Sequence, residues 1–197
     1  MIARELGCTL KAMHAPLPTV NADLPLRTGG FRTVLDALDY AAQGETGFNF
    51  YDSRGAFAQS LPFSELRARG HDLALRLSGA GLKKGDRVVM IAETRPDFLI
   101  FFYGCQYAGL IPVPLPFPMH LGGKDAYVGQ LSRMMQSARA AAAVASSELI
   151  GFMRDAAAGL HTPMVGTPED FYRLPLGRAA LPNITEDDIC YIQYSSG

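Results

Sequence analysis

Apolar residues first fall into register at Phe31. Phe31, Val34, Leu35, Leu38, Ala41 and Ala42 share one helical face, and Gly44 follows where a left-handed stop would fit. Residues 1–30 show little periodicity and several prolines, so they read as a lead-in segment lying across the unit formed by 31–197. Phe48-Asn49-Phe50-Tyr51, the polar Asp52-Ser53-Arg54-Gly55 and then Ala56 to Phe63 read as strand, turn and strand, most simply a hairpin. Ser64 is placed to cap a helix that turns Leu66, Leu73, Ala74 and Leu77 inward and stops at Gly79 and Gly81.

Asp86 to Ala92 carries four apolar residues in succession, Val88 to Ile91, before Ala92, which predicts a strand buried on both faces. Thr94 with Asp97 looks like a capping box for the next helix, Gly109 closes that helix, and Leu110 to Leu115 is a second strand. Strand, helix and strand within about 30 residues make a right-handed crossover between parallel strands. Prolines at 112, 114, 116 and 118 remove every second amide on one side, so this segment must end its strand or run along an edge. A helix from about Ala126 to Ala138 places Tyr127, Leu131, Met134, Met135 and Ala138 on one stripe. Ala140 to Ala145 reads as a short buried strand, Ser147 as the cap of a helix carrying Leu149, Ile150 and Met153, and Pro163 to Gly166 as another strand. Pro175 to Pro182 reads as a linker, and Ile189 to Tyr194 as a buried strand running into Ser195-Ser196-Gly197. The expected fold class is α/β, a mainly parallel sheet flanked by helices with an added β-hairpin.

Composition narrows the class. With 197 residues the chain can bury roughly 70% of its unfolded surface without metal or disulfides. A hydrophobic content of 48% and a net charge of −1 exclude a disordered chain and a basic nucleic-acid binder. Cys8, Cys105 and Cys190 are odd in number and lack zinc-site spacing, which favours a reducing, cytoplasmic compartment. No secretory signal is visible at the N-terminus. Phe98 to Gly123 holds no charged residue, but its prolines leave an apolar helix too short for the ~20 residues of a membrane span.

Chemistry is concentrated at the end of the chain. An apolar strand opening into Ser195, Ser196 and Gly197 offers backbone amides and hydroxyls at a strand terminus, a usual cradle for phosphate. Gly122-Gly123-Lys124-Asp125 lacks the spacing of a Walker loop. His14, His71, His120 and His161 share no ligand spacing, and Glu186-Asp187-Asp188 reads as a solvated turn, so no metal is assigned to this chain.

Several motifs, taken in order, resemble the adenylate-forming superfamily of acyl-CoA synthetases, peptide-synthetase adenylation domains and fatty acyl-AMP ligases. Leu61-Pro62-Phe63-Ser64-Glu65-Leu66 looks like its early T-Y-x-E-L segment. Gly81-Leu82-Lys83-Lys84-Gly85-Asp86-Arg87-Val88 looks like G-L-x-x-G-D-R-V, and Tyr107 to Pro114 like x-A-G-x-x-x-V-P. Tyr191-Ile192-Gln193-Tyr194-Ser195-Ser196-Gly197 resembles the opening of its phosphate loop. Leu24-Pro25-Leu26-Arg27, Gly47 to Tyr51, Val113 to Pro118 and Ile192-Gln193-Tyr194 are most similar to the fatty acyl-AMP ligase branch.

The resemblance implies that 31–197 is the N-terminal subdomain, here truncated, of an enzyme that activates a fatty acid with ATP and Mg²⁺. The acyl group then passes to a phosphopantetheine thiol on an acyl carrier protein or on a polyketide or peptide synthase carrier domain. Carried over by position, Ser195, Ser196 and Gly197 would contact the β- and γ-phosphates of ATP. The resemblance places the Mg²⁺ carboxylate and the catalytic residues beyond Gly197, so the chain alone would be inactive. It implies no nucleic-acid partner and no membrane span. A long-chain acyl-CoA ligase and a non-catalytic interaction module of the same fold remain as alternatives.

Overall fold

A computed structural model describes residues 22–118 and 123–195. The chain order is α1 (Val34–Ala41), β1 (Gly47–Tyr51), β2 (Phe57–Pro62), α2 (Phe63–Gly79), β3 (Arg87–Ile91) and α3 (Pro96–Tyr107). There follow β4 (Ile111–Leu115), α4 (Lys124–Ala138), β5 (Ala140–Val144), α5 (Ile150–Ala157), β6 (Met164–Gly166) and α6 (Pro168–Tyr172). The strands β1 and β2 form the expected antiparallel hairpin, and β4-β3-β5-β6 form a wholly parallel sheet.

The centre of this sheet is β3, and its side chains alternate between two cores. Val88 and Met90 face Leu66, Leu73, Leu77, Ile100 and Phe101 from α2 and α3. Val89 and Ile91 face Leu131, Met135 and Met153 from α4 and α5. Helices therefore cover both faces, which is why the strand is apolar throughout rather than at every second residue. Prolines confine β4 to an edge, as expected. The Ile111 N–H donates to Asp86 O, so amides at odd positions face β3 and the proline nitrogens at 112 and 114 face outward.

Several local expectations are corrected. Thr33 caps α1 through a capping box with Asp36, and the helix ends at an αR residue, Ala42, so Gly44 supplies no left-handed stop. Neither Ser64 nor Ser147 caps: α2 starts one residue after Pro62 and α5 one residue after Leu149, without a side-chain cap. Thr94 and Asp97 form no capping box either. Pro96 opens α3 after Arg95, and Asp97 instead accepts from the Tyr172 hydroxyl at 2.7 Å. Residues 175–182 are more than a linker, because Gly177 N–H donates to Leu75 O and Arg76 reaches Leu174 O, strapping the segment to α2. The helix α6 had no forecast in the sequence; its Phe171 is buried against Phe101.

The helices α2 and α3 approach closely at two glycines, Gly70 and Gly104. A Cβ on Gly104 would lie 2.9 Å from Leu73 Cδ2 and 3.2 Å from Gly70 O. At this level one carboxylate joins three helices. Asp39 Oδ1 of α1 accepts from Arg67 Nε of α2 at 2.7 Å and from the Tyr107 hydroxyl of α3 at 2.6 Å. Burial and the bond to Asp39 both push the Tyr107 phenol up, which keeps it protonated and donating. His71 stacks on the Tyr107 ring at 3.9 Å with its Nε2 buried and unpartnered, and burial, then Arg67, lowers its pKa.

Two outcomes follow from this packing. Gly104→Val should cost about 1–3 kcal/mol by overpacking, read as a lower urea midpoint at unchanged slope. Because the folded state holds His71 below its ordinary value of 6.5, its contribution is complete above that pH and is lost as pH falls further. His71→Phe, which keeps the stacking and removes the titration, should flatten stability against pH between about 6.5 and 5. An unchanged slope in that window would clear His71 of the effect.

Candidate functional site at the carboxyl edge of the sheet

Parallel strands direct their carboxyl ends to one edge, where open α/β sheets hold ligands. At the ends of β3 and β4 lies a hollow of about 400 Å³, lined among others by Ala92, Leu115, Gln130, Met134, Tyr191 and Ser195. Ser195 lies at this edge, lining the hollow. Ser196 and Gly197 lie outside the described residues. Among the described residues no carboxylate lines this hollow; its polar groups are amides, phenols and a hydroxyl, which suit phosphate oxygens and give Mg²⁺ no acidic ligand.

The approach to Ser195 differs from expectation. Residues 189–194 are not a buried strand: Ile189 and Tyr191 are exposed, and Cys190 is half-buried. The outer edge of β4 explains this. Pro112 and Pro114 offer carbonyls there but no N–H, so a neighbour can donate to β4 and receives nothing from those positions. One such bond is made, from Ile192 N–H to Pro112 O at 3.1 Å. The segment is otherwise held by side chains. Tyr194 donates from its hydroxyl to Met134 O at 2.9 Å, and Tyr191 packs against Phe102 of α3.

The acidic run upstream is an anchor. Lys84 Nζ bonds Asp188 at 2.8 Å and Asn183 O at 3.1 Å, and Arg32 pairs with Glu186 at 2.7 Å. The Lys84 bond, aided by Thr185 N–H, holds the Asp188 carboxyl below the usual range. Among the described residues no group of three or more His, Cys, Asp or Glu side chains could hold a metal ion. Burial pushes the Cys105 and Cys190 thiols up, so neither is primed as a nucleophile. Among the described residues no helix is long and apolar enough to cross a membrane.

A parallel sheet with helices on both faces and an added hairpin match the N-terminal subdomain of adenylate-forming enzymes. The model of the family described as AMP-binding enzyme matches residues 41–197, and the chain belongs to that family. A Caulobacter vibrioides protein named as an acyl-CoA synthetase is 41% identical over 192 residues, 95% of this chain and 32% of that protein. Long-chain-fatty-acid–AMP ligase FadD26 of Mycobacterium marinum is 31% identical over 161 residues, covering 78% of this chain and 26% of the relative. A structure from a study of fatty acyl-adenylate ligases of E. coli and L. pneumophila superposes with a TM-score of 0.83 at 39% identity, covering 88% of this chain and 31% of that one. The chain thus spans between about a quarter and a third of the length of these relatives.

Removing the Tyr194 hydroxyl tests whether side chains, rather than a ladder, hold the segment. Tyr194→Phe should loosen residues 191–195 by about 0.5–1.5 kcal/mol, seen as faster amide exchange there with unchanged exchange in β3. Uniform acceleration across the sheet would contradict a local role.

Proposed function

We propose that residues 31–197 form the opening subdomain of a fatty acyl-AMP ligase. In the first step of that reaction a fatty acid carboxylate attacks the α-phosphorus of ATP, forming the acyl-adenylate and expelling pyrophosphate. In the second, a phosphopantetheine thiol on a carrier protein or carrier domain takes the acyl group and releases AMP. The observation that carries this reading is the 39% identity, at a TM-score of 0.83, to a structure from work on fatty acyl-adenylate ligases.

Ser195, Ser196 and Gly197 take the β- and γ-phosphates in this reading, where amides and hydroxyls oppose the charge that builds on pyrophosphate. Mg²⁺ is held by carboxylates outside this chain, so the chain by itself is inactive. Residues 1–30 act as a lead-in, and the setting is cytoplasmic, where ATP is supplied and free thiols persist. A second reading, an acyl-CoA ligase that delivers to CoA, draws on the name of the 41% identical relative.

The test is fatty-acid-dependent ATP–pyrophosphate exchange by the full-length polypeptide, followed by a choice of acceptor, with this chain as the control. Exchange by the full-length protein together with transfer to a holo carrier protein is expected; transfer to CoA alone would install the second reading. Absence of exchange at every acyl length would leave a non-catalytic member of the fold. Calorimetry of the chain with ATP should show weak binding or none, and micromolar affinity at full occupancy would refute its incompleteness.

A further inference from the structure

One face of α4 walls the hollow that Ser195 lines. Tyr127, Gln130 and Met134 share that face at helical spacing, and Gln130 and Met134 line the hollow together with Pro114 and Pro116. Two phenols fasten the face in place. The Tyr127 hydroxyl donates to Pro116 O at 2.9 Å, tying α4 to the chain that leaves β4. The Tyr194 hydroxyl donates to Met134 O, also at 2.9 Å, tying α4 to the residue before Ser195.

Between the two tethered residues stands Gln130. Its side chain is half-buried and, among the described residues, makes no hydrogen bond. Half-burial strips water from this amide without returning a partner, a cost that an acceptor in the hollow would recover. The amide has two N–H donors to offer, and Ser195 adds a hydroxyl from a different element. With no carboxylate lining the hollow among the described residues, an anion there meets donors and no like charge from these walls.

We propose that Gln130 is a further binding residue of this site, its amide donating to the terminal phosphate oxygens of ATP and to pyrophosphate. The identity of the ligand rests on the adenylating reading above; the position of the donor rests on the two tethers, which hold α4 against the hollow from both sides of Gln130. A neutral amide gains strength as negative charge gathers on the oxygens it meets, since hydrogen bonds to charged acceptors exceed those to neutral ones.

Calorimetry of the full-length polypeptide with ATP, pyrophosphate and AMP, beside ATP–pyrophosphate exchange, tests the assignment. Gln130→Leu keeps a helix-forming side chain of similar length and removes both donors; Gln130→Ala is the second variant should the first fold poorly. Either should weaken ATP and pyrophosphate about tenfold and raise their KM in exchange by a similar factor, as the loss of a hydrogen bond to a charged oxygen requires. Affinity for AMP and the KM for fatty acid should stay unchanged, because neither carries the terminal phosphates. Gln136→Leu, on the same helix but away from the hollow, should alter none of these. Unchanged ATP and pyrophosphate affinity in a folded Gln130 variant would overturn the assignment, as would an equal loss for AMP or lowered stability with binding intact. If the wild type shows no exchange yet binds pyrophosphate through Gln130, the adenylating reading falls and the anion contact stands. A wild type that exchanges normally and is indifferent to Gln130 removes this inference alone, and one that binds neither ATP nor pyrophosphate removes both.

Discussion

The position of β3 is the constraint on which the rest depends. A strand with no polar face must be covered twice, and each cover has to come from helices that the connections deliver to opposite sides. The order β4-β3-β5-β6 does this: α3 lies with α1 and α2 over one face, and α4 and α5 lie over the other. Once β3 is central, β4 is an edge, and its prolines make that edge permanent. The hollow beside Ser195 is thus a product of the same sheet order that builds the core. The residues that hold the fold and those that shape the site are joined by a few bonds at one strand.

Much of this order was legible because burial leaves periodic traces. The run of apolar residues in β3, the alternating prolines of β4 and the helical stripe from Tyr127 to Ala138 each have one economical packing. Capping residues were less legible. Ser64, Thr94 and Ser147 are chemically able to cap, but Pro62, Pro96 and the turn before Ile150 set the helix starts through backbone geometry that competes with them. The helix α6 escaped notice because five residues are too few for a period.

The candidate site shows the same division. Ser195 stood out because hydroxyls follow an apolar run, and the structure puts it at the carboxyl edge of the sheet. The apolar run itself misled: Ile189, Tyr191 and Ile192 have the composition of a buried strand, while the neighbouring edge gives them carbonyls and withholds amides. Strand propensity describes a residue's fit to a pleated surface, and whether a ladder is available depends on the partner. The anchors of this segment, Lys84, Arg32 and Tyr194, are polar residues whose partners lie far away in sequence, so spacing could not have paired them.

The single oxygen of Asp39 shared by Arg67 and Tyr107 has an evolutionary reading. Positions on three helices depend on one acceptor atom, so a change at any of them alters the worth of the other two. Loss of Asp39 would strand a guanidinium and a phenol together, and afterwards losing either donor would matter less. Drift at positions 39, 67 and 107 should therefore be concerted, with relatives keeping the trio or replacing it as a unit.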